Sequence, residues 1–168
     1  MNTALLILRL VLGTSMAAHG AQKLFGWFGG YGLKGTGGFF ESIGFRPGTR
    51  FALAAGLTEF SSGLLLALGL LGPIGPALML SVMLVAILTV HKGHGFFATG
   101  NGVELPVLYI TGAIAVAFAG PGAFSLDHLL GLDTVFPPVV TWIALAVGVA
   151  GAFGNLAVRH VPEPVAQP

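Results

Sequence analysis

The stretch His19–Phe40, HGAQKLFGWFGGYGLKGTGGFF, decides how the chain is read, because it is a polar, glycine-rich interruption between long apolar runs. It opens on His19 and Lys23, four residues apart and so on one helical face if the preceding helix reaches them. Gly26, Gly29, Gly30, Gly32, Gly35, Gly37 and Gly38 then leave too little side chain to hold a regular helix. Among them stand Phe25, Trp27, Phe28, Tyr31, Phe39 and Phe40, residue types that settle at a membrane–water boundary. The stretch reads as an interfacial loop hanging from the end of a transmembrane helix. Gly30-Tyr31-Gly32-Leu33-Lys34-Gly35 also matches G-x-G-x-x-G, but that fingerprint works only between a strand and a helix of a βαβ unit. Here a long apolar run precedes it, and in a chain with 27 glycines the match is expected by chance.

Composition agrees with a membrane setting. Of the 168 residues, 55% are hydrophobic and 8% charged, against about 25% charged in a soluble domain, and the mean hydropathy is +0.91. A soluble fold of this length has no interior large enough for that much apolar surface, so a multi-pass protein embedded in a lipid bilayer follows. The net charge of +1 and the dispersed basic residues exclude nucleic acid as a partner. With no cysteine, disulfides, thiol chemistry and iron–sulfur ligation by this chain are excluded.

Outward from the glycine stretch, five apolar segments are predicted: about Thr3–Phe25, Phe51–Leu71, Pro76–Val90, Val103–Ala119 and Val139–Val158. The first is long enough, at about 1.5 Å per residue, to cross a ~30 Å hydrocarbon core. A cleaved signal peptide is disfavoured there, because no basic region precedes it and Arg9 interrupts its apolar run. Gly72-Pro73-Ile74-Gly75-Pro76 is a turn too short for anything but an antiparallel hairpin. The fourth segment is short for a crossing, and Gly120-Pro121-Gly122 stops it. The organisation is therefore an all-α transmembrane bundle. A core spans residues 1–127 and includes an interfacial loop at 26–48, a further loop and helix span 128–158, and a disordered proline-rich tail spans 159–168. Gly13 with Ala17, and Ala144, Gly148 and Ala152, form small-residue stripes that suit close helix packing or homo-oligomerisation.

Lys23, Lys34, Arg46, Arg50, Lys92 and Arg159 fall in loops on one side, leaving only Arg9 of the seven basic residues within a helix. The positive-inside rule then puts the N-terminus outside and the C-terminus in the cytoplasm, with five crossings.

Ionisable groups at membrane depth are expensive and are candidates for function. Counting rise per residue puts Arg9 roughly 9 Å below one boundary, His19 roughly 9 Å above the other, and Glu59 near 13 Å from that same side. A polar pocket is expected from His19, Glu59, His91 and Glu104, with Lys23 nearby, closed by the glycine and aromatic loop. Each residue also has a structural reading. Arg9 pairs with Glu59 or reaches outward, Lys23 anchors at the interface, Glu104 meets a helix dipole, and His91 and His94 are solvated. Such a pocket suits a quinone held by His19, His91 and Glu59, a b-type haem between His19 and His91, or a proton relay through Glu59 and His19. A metal on His91 and His94 with Glu59 or Glu104 is disfavoured without thiolate ligands, and no metal site is expected.

The run Leu8-Arg9-Leu10, His19-Gly20, Lys23-Leu24-Phe25-Gly26-Trp27-Phe28-Gly29-Gly30, Glu59-Phe60, Gly63-Leu64-Leu65-Leu66, Thr89-Val90-His91, Gly95-Phe96-Phe97 and Ser125-Leu126-Asp127 resembles the DoxX family of small bacterial membrane proteins. The resemblance covers about Leu5–Asp127. It implies a four-helix transmembrane core, to which the segment Val139–Val158 is an addition. It also implies association with other membrane or redox subunits, in assemblies related to quinol oxidase and thiosulfate:quinone oxidoreductase complexes. Arg9, His19, Lys23, Glu59, His91 and Glu104 stand where the family places polar residues, and no catalytic role comes with them. The function expected is therefore a subunit or accessory of a quinone-linked complex, a non-autonomous oxidoreductase component. The alternative is a small proton-coupled transporter, or a membrane chaperone or scaffold without redox chemistry.

Overall fold

The computed structural model describes residues 1–132 and 134–160 and is helical throughout, with no strand among the described residues. Five long helices, α1 (Asn2–Phe25), α3 (Gly48–Leu68), α4 (Ile74–Ala86), α5 (Glu104–Ala119) and α7 (Pro138–Ala157), are joined by two shorter ones, α2 (Gly32–Ser42) and α6 (Leu126–Leu129). Counting α4 with its continuation to His91, four of them are long and apolar enough to cross a membrane. α5, with 16 residues, spans about 24 Å. Loops link successive helices end to end, so the helices alternate in direction, and the residues Lys23, Lys34, Arg46, Arg50, Lys92 and Arg159 collect at one end of the bundle. Residues 161–168, most of the tail expected to be disordered, lie outside the described residues, as does Asp133.

Packing is set by glycine where two helices touch. A Cβ on Gly20 would stand 2.4 Å from the Phe60 nitrogen, and one on Gly63 would stand 2.4 Å from that of Ala17. α1 and α3 thus meet backbone to backbone, in the small-xxx-small manner that suits helices in lipid. A core of Met16, Leu66, Met79, Met83, Ala113 and Val116 draws on α1, α3, α4 and α5. α7 docks on this four-helix core: Leu145 joins Ala77, Leu80 and Ala117, and a Cβ on Gly148 would stand 2.5 Å from the Ala77 carbonyl oxygen. The opposite face of α7, with Val139, Trp142, Ile143 and Val147, is exposed and apolar, as a lipid-facing surface must be.

The glycine stretch departs from its expected irregularity. After α1 ends at Gly26 in the left-handed region (φ 73°) and a single tight turn passes Trp27–Gly29, the chain folds back and forms the 11-residue helix α2. Local propensity argued against it, and packing overrides that cost. Thr36 and Gly37 are buried against the start of α3, where a Cβ on Gly37 would meet the Thr49 side chain at 2.8 Å. The glycines are what bring α2 onto α3. α4 is also unusual at its end, since Ile87–His91 forms a widened π turn in which the Lys92 N–H donates to the Ile87 carbonyl over 2.8 Å. Such turns recur where a helix borders a site.

Candidate functional site

The buried charges separate into two groups at opposite ends of the bundle. At the Arg9 end, Arg9 is 1% exposed and Asp127 is 0% exposed. The Arg9 guanidinium donates to the carbonyls of Pro121, Phe124 (2.7 Å) and Ala67 (3.3 Å), and Asp127 lies within electrostatic reach. Asp127 accepts from the N–H groups of Leu71 (2.9 Å) and Gly72 (2.6 Å). α3 ends at Gly69 with φ 64°, and a Cβ there would come within 2.6 Å of Arg9 Nη1. The guanidinium thus fills the space that glycine leaves. This network ties α1, the end of α3 and the segment after α5; both Arg9 Nη groups and both Asp127 oxygens are committed to backbone, while the buried Arg9 Nε has no hydrogen-bond partner among the described residues. Arg9 does not pair with Glu59, because the direction of α1 places them in opposite halves of the bundle.

At the other end, Lys23 Nζ lies 2.5 Å from Glu59 Oε2, and Glu59 is 3% exposed. The pair borders a cavity of about 250 Å³ that opens between α2, α3, α4 and α7, just under the usual range of ligand pockets, about 300–1,000 Å³. Phe39, Phe40, Phe51, Val82, Val85 and Val90 make most of its wall apolar. Thr58, Ser81, Thr89 and Asn155 add isolated polar groups. Thr89 and Val90 belong to the π turn. A second, more open cleft of about 510 Å³, bordered by Gln22, Tyr31 and Thr36, shares Lys23, Phe39 and Phe40 with the first. Lys23 and the two phenylalanines therefore stand between the cleft and the intramembrane cavity. An ion pair at the edge of an otherwise greasy chamber can hydrogen-bond an acceptor on a ligand through its ammonium and a donor through its carboxylate.

Of the residues expected to share one pocket, the structure brings together Lys23 and Glu59. His19 is exposed, on a different face of α1, with its ring edge-on to Tyr109 at 6.1 Å between centroids. His91 closes a local loop through Nδ1 and the Asn101 carbonyl (2.8 Å). Glu104 accepts from the Ala98 N–H (2.8 Å), so it caps a turn, and His94 is exposed. None of His19, His91 and Glu104 borders the cavity beside Lys23. The helix ends diverge more than a depth count along the axis conveys, because depth fixes height but not azimuth. Among the described residues no group of three or more His, Cys, Asp or Glu is placed to hold a metal.

Three participants were not singled out by sequence. Asp127 enters the sequence reading only at the end of the run Ser125-Leu126-Asp127, although a carboxylate directly after Gly120-Pro121-Gly122 and Ser125 is a signal. Asn155 is the only carboxamide in the fifth segment, and Ser81 is one of two hydroxyls in the third, with Thr89.

The sequence profile of the DoxX family matches residues 4–92, the stretch from α1 through α4. An uncharacterized membrane protein of Mycobacterium tuberculosis is 27% identical over 137 residues, covering 76% of this chain and 81% of that protein. An uncharacterized protein of Haemophilus influenzae is 32% identical over 127 residues, covering 74% and 88% respectively. No solved structure gives a significant match.

Proposed function

Since the chain belongs to the DoxX family of membrane proteins, we propose that it serves as a subunit or accessory of a quinone-linked redox complex in the bacterial inner membrane, with its Lys23 end toward the cytoplasm. The observation that carries this reading is the Lys23–Glu59 ion pair, 2.5 Å long, at the edge of an apolar cavity between α2, α3, α4 and α7. A quinone is a flat apolar ring with a carbonyl at each end and a hydrocarbon tail. The residues present fit it: Lys23 offers a charged donor to a carbonyl oxygen, Glu59 holds that ammonium in place, and Phe39, Phe40 and Phe51 exclude water. A bound quinone would supply the two-electron, two-proton carrier. With no cysteine in the sequence, electrons would come from a partner subunit.

The test is quinone-linked turnover of membranes carrying Glu59→Gln or Lys23→Met in the assembled complex. Turnover falling at least tenfold with the protein still folded is expected. Wild-type turnover in both variants would end this reading. A second reading, a scaffold without redox chemistry, draws on Arg9, whose hydrogen bonds go to backbone carbonyls. It requires every polar substitution to act through stability alone.

A further inference from the structure

Asn155 lies near the end of α7 on the wall of the cavity, in a helix whose only other amide or hydroxyl side chain is Thr141. No hydrogen bond joins its side chain to another group among the described residues, nor that of Ser81 on α4. The contrast with their neighbours is informative. Thr58 and Thr89, on the same wall, satisfy their hydroxyls on the Ala54 and Val85 carbonyls, each at 2.8 Å. Ser81 makes no such bond, and a carboxamide is too large to be satisfied that way. An amide facing an apolar chamber at membrane depth is unfavourable unless something in the chamber meets it.

We propose that Asn155 and Ser81 form a second hydrogen-bonding pole of the cavity, on the α4–α7 wall, and that Asn155 donates to the ligand oxygen remote from the Lys23–Glu59 pole. The inference rests on the quinone reading and adds the residues that select the ring. Lys23 and Glu59 come from α1 and α3, so a ligand bridging both poles must carry acceptors at both ends of an apolar body. Asn155 lies outside the stretch that matches the family profile, residues 4–92. Lys23, Glu59 and Ser81 lie within that stretch.

The experiment measures binding of decylubiquinone, and of dodecylbenzene as a hydrocarbon control, to the purified full-length protein in lipid nanodiscs. Infrared spectra of decylubiquinone labelled with carbon-13 at either carbonyl accompany the titration. Wild type should lower the stretching frequency of both carbonyls. Asn155→Leu should weaken decylubiquinone binding about 5- to 10-fold, the loss expected for one hydrogen bond, return one carbonyl band toward its free position and leave dodecylbenzene unaffected. Should Asn155→Leu fail to fold, Asn155→Ala is read in the same way. Unchanged affinity and unchanged bands in the Asn155 variant, with binding still weakened in Glu59→Gln, would overturn the role of Asn155 and leave the quinone reading standing. Equal binding of the quinone and the hydrocarbon by wild type would overturn both.

Discussion

Lys23 on α1 and Glu59 on α3 are joined at 2.5 Å across the most tightly packed helix pair in the bundle, with the carboxylate side chain 4% exposed and the ammonium side chain 25% exposed. Losing one member leaves the other charge without its partner. Breaking a fully buried pair costs about 3–5 kcal/mol, and the partial exposure of Lys23, whose stem can redirect its charge to water, lowers the expected loss for Glu59→Leu to about 2–3 kcal/mol. Lys23→Met with Glu59→Leu should recover most of it. A double-mutant cycle of thermal unfolding in detergent checks this; strictly additive losses would show that the pair is not coupled.

Arg9 and Asp127 act on the opposite end through backbone groups. Asp127→Ala strands the N–H groups of Leu71 and Gly72 and leaves the Arg9 charge uncompensated, for an expected loss of about 3–5 kcal/mol. Arg9→Lys keeps the charge but cannot reach the Pro121, Phe124 and Ala67 carbonyls together, so it should also destabilise. Both variants should leave ligand affinity at the distant Lys23 cavity unchanged once the protein is folded. Equilibrium binding after a melting-temperature check distinguishes this from a direct role.

Close approach of α1 and α3 makes a second kind of sensitivity. Gly63→Ala places a methyl group 2.4 Å from the Ala17 nitrogen and must push the helices apart, at about 1–3 kcal/mol. Gly154→Ala is the control, because no atom lies within 4 Å of its added Cβ. In that open helical position alanine should be neutral or stabilising by up to about 1 kcal/mol. Paired melting curves decide, and equal losses at the two sites would remove the packing argument.

The alternation of five helices makes a topological prediction as well. A reporter fused after His160 should be active in the cytoplasm, and one inserted near Leu130 active outside, since the basic residues gather at the Lys23 end. Activity of both on the same side would mean that α7 does not cross, and a signal inside near Leu130 with one outside after His160 would mean that α5 does not.

What could be read from the sequence follows from which physical signal dominates each part. The five apolar runs gave the long helices to within about three residues, because in lipid the backbone must satisfy its own hydrogen bonds and hydrophobic length alone then marks a span. The stripe Ala144, Gly148 and Ala152 foretold a packing face, and α4 is what it meets. The helix at Gly32–Ser42 was hidden, because its stability comes from contact with α3 and not from its own residues. Lys23 and Glu59 were legible as buried charges, yet their pairing was not, because 36 residues separate them and helix azimuth is set by glycines such as Gly20, Gly56 and Gly63 on the facing helix surfaces. His19 illustrates the converse: its depth suggested a shared pocket, and its azimuth takes it to Tyr109.

The end of α7 holds α2 in place, and this gives a dynamic prediction. The His160 N–H donates to the Gly44 carbonyl at 2.9 Å. Arg159 Nε donates to the Ile43 carbonyl at 2.6 Å, and its guanidinium lies 5.9 Å from the centre of the Phe45 ring. Phe45 is fully buried, so it anchors the α2–α3 connection and with it the end of α2, whose Phe39 and Phe40 line the cavity. Arg159→Ala removes one hydrogen bond and a cation–aromatic contact, about 1–2 kcal/mol of local stability. Hydrogen exchange across residues 32–45 should then accelerate roughly tenfold, as local opening free energy falls by that amount, with the α1–α3 core unchanged. Exchange that rises uniformly over the protein would mean that Arg159 supports global stability, and exchange unchanged in α2 would mean that the clip is not what holds the cavity wall.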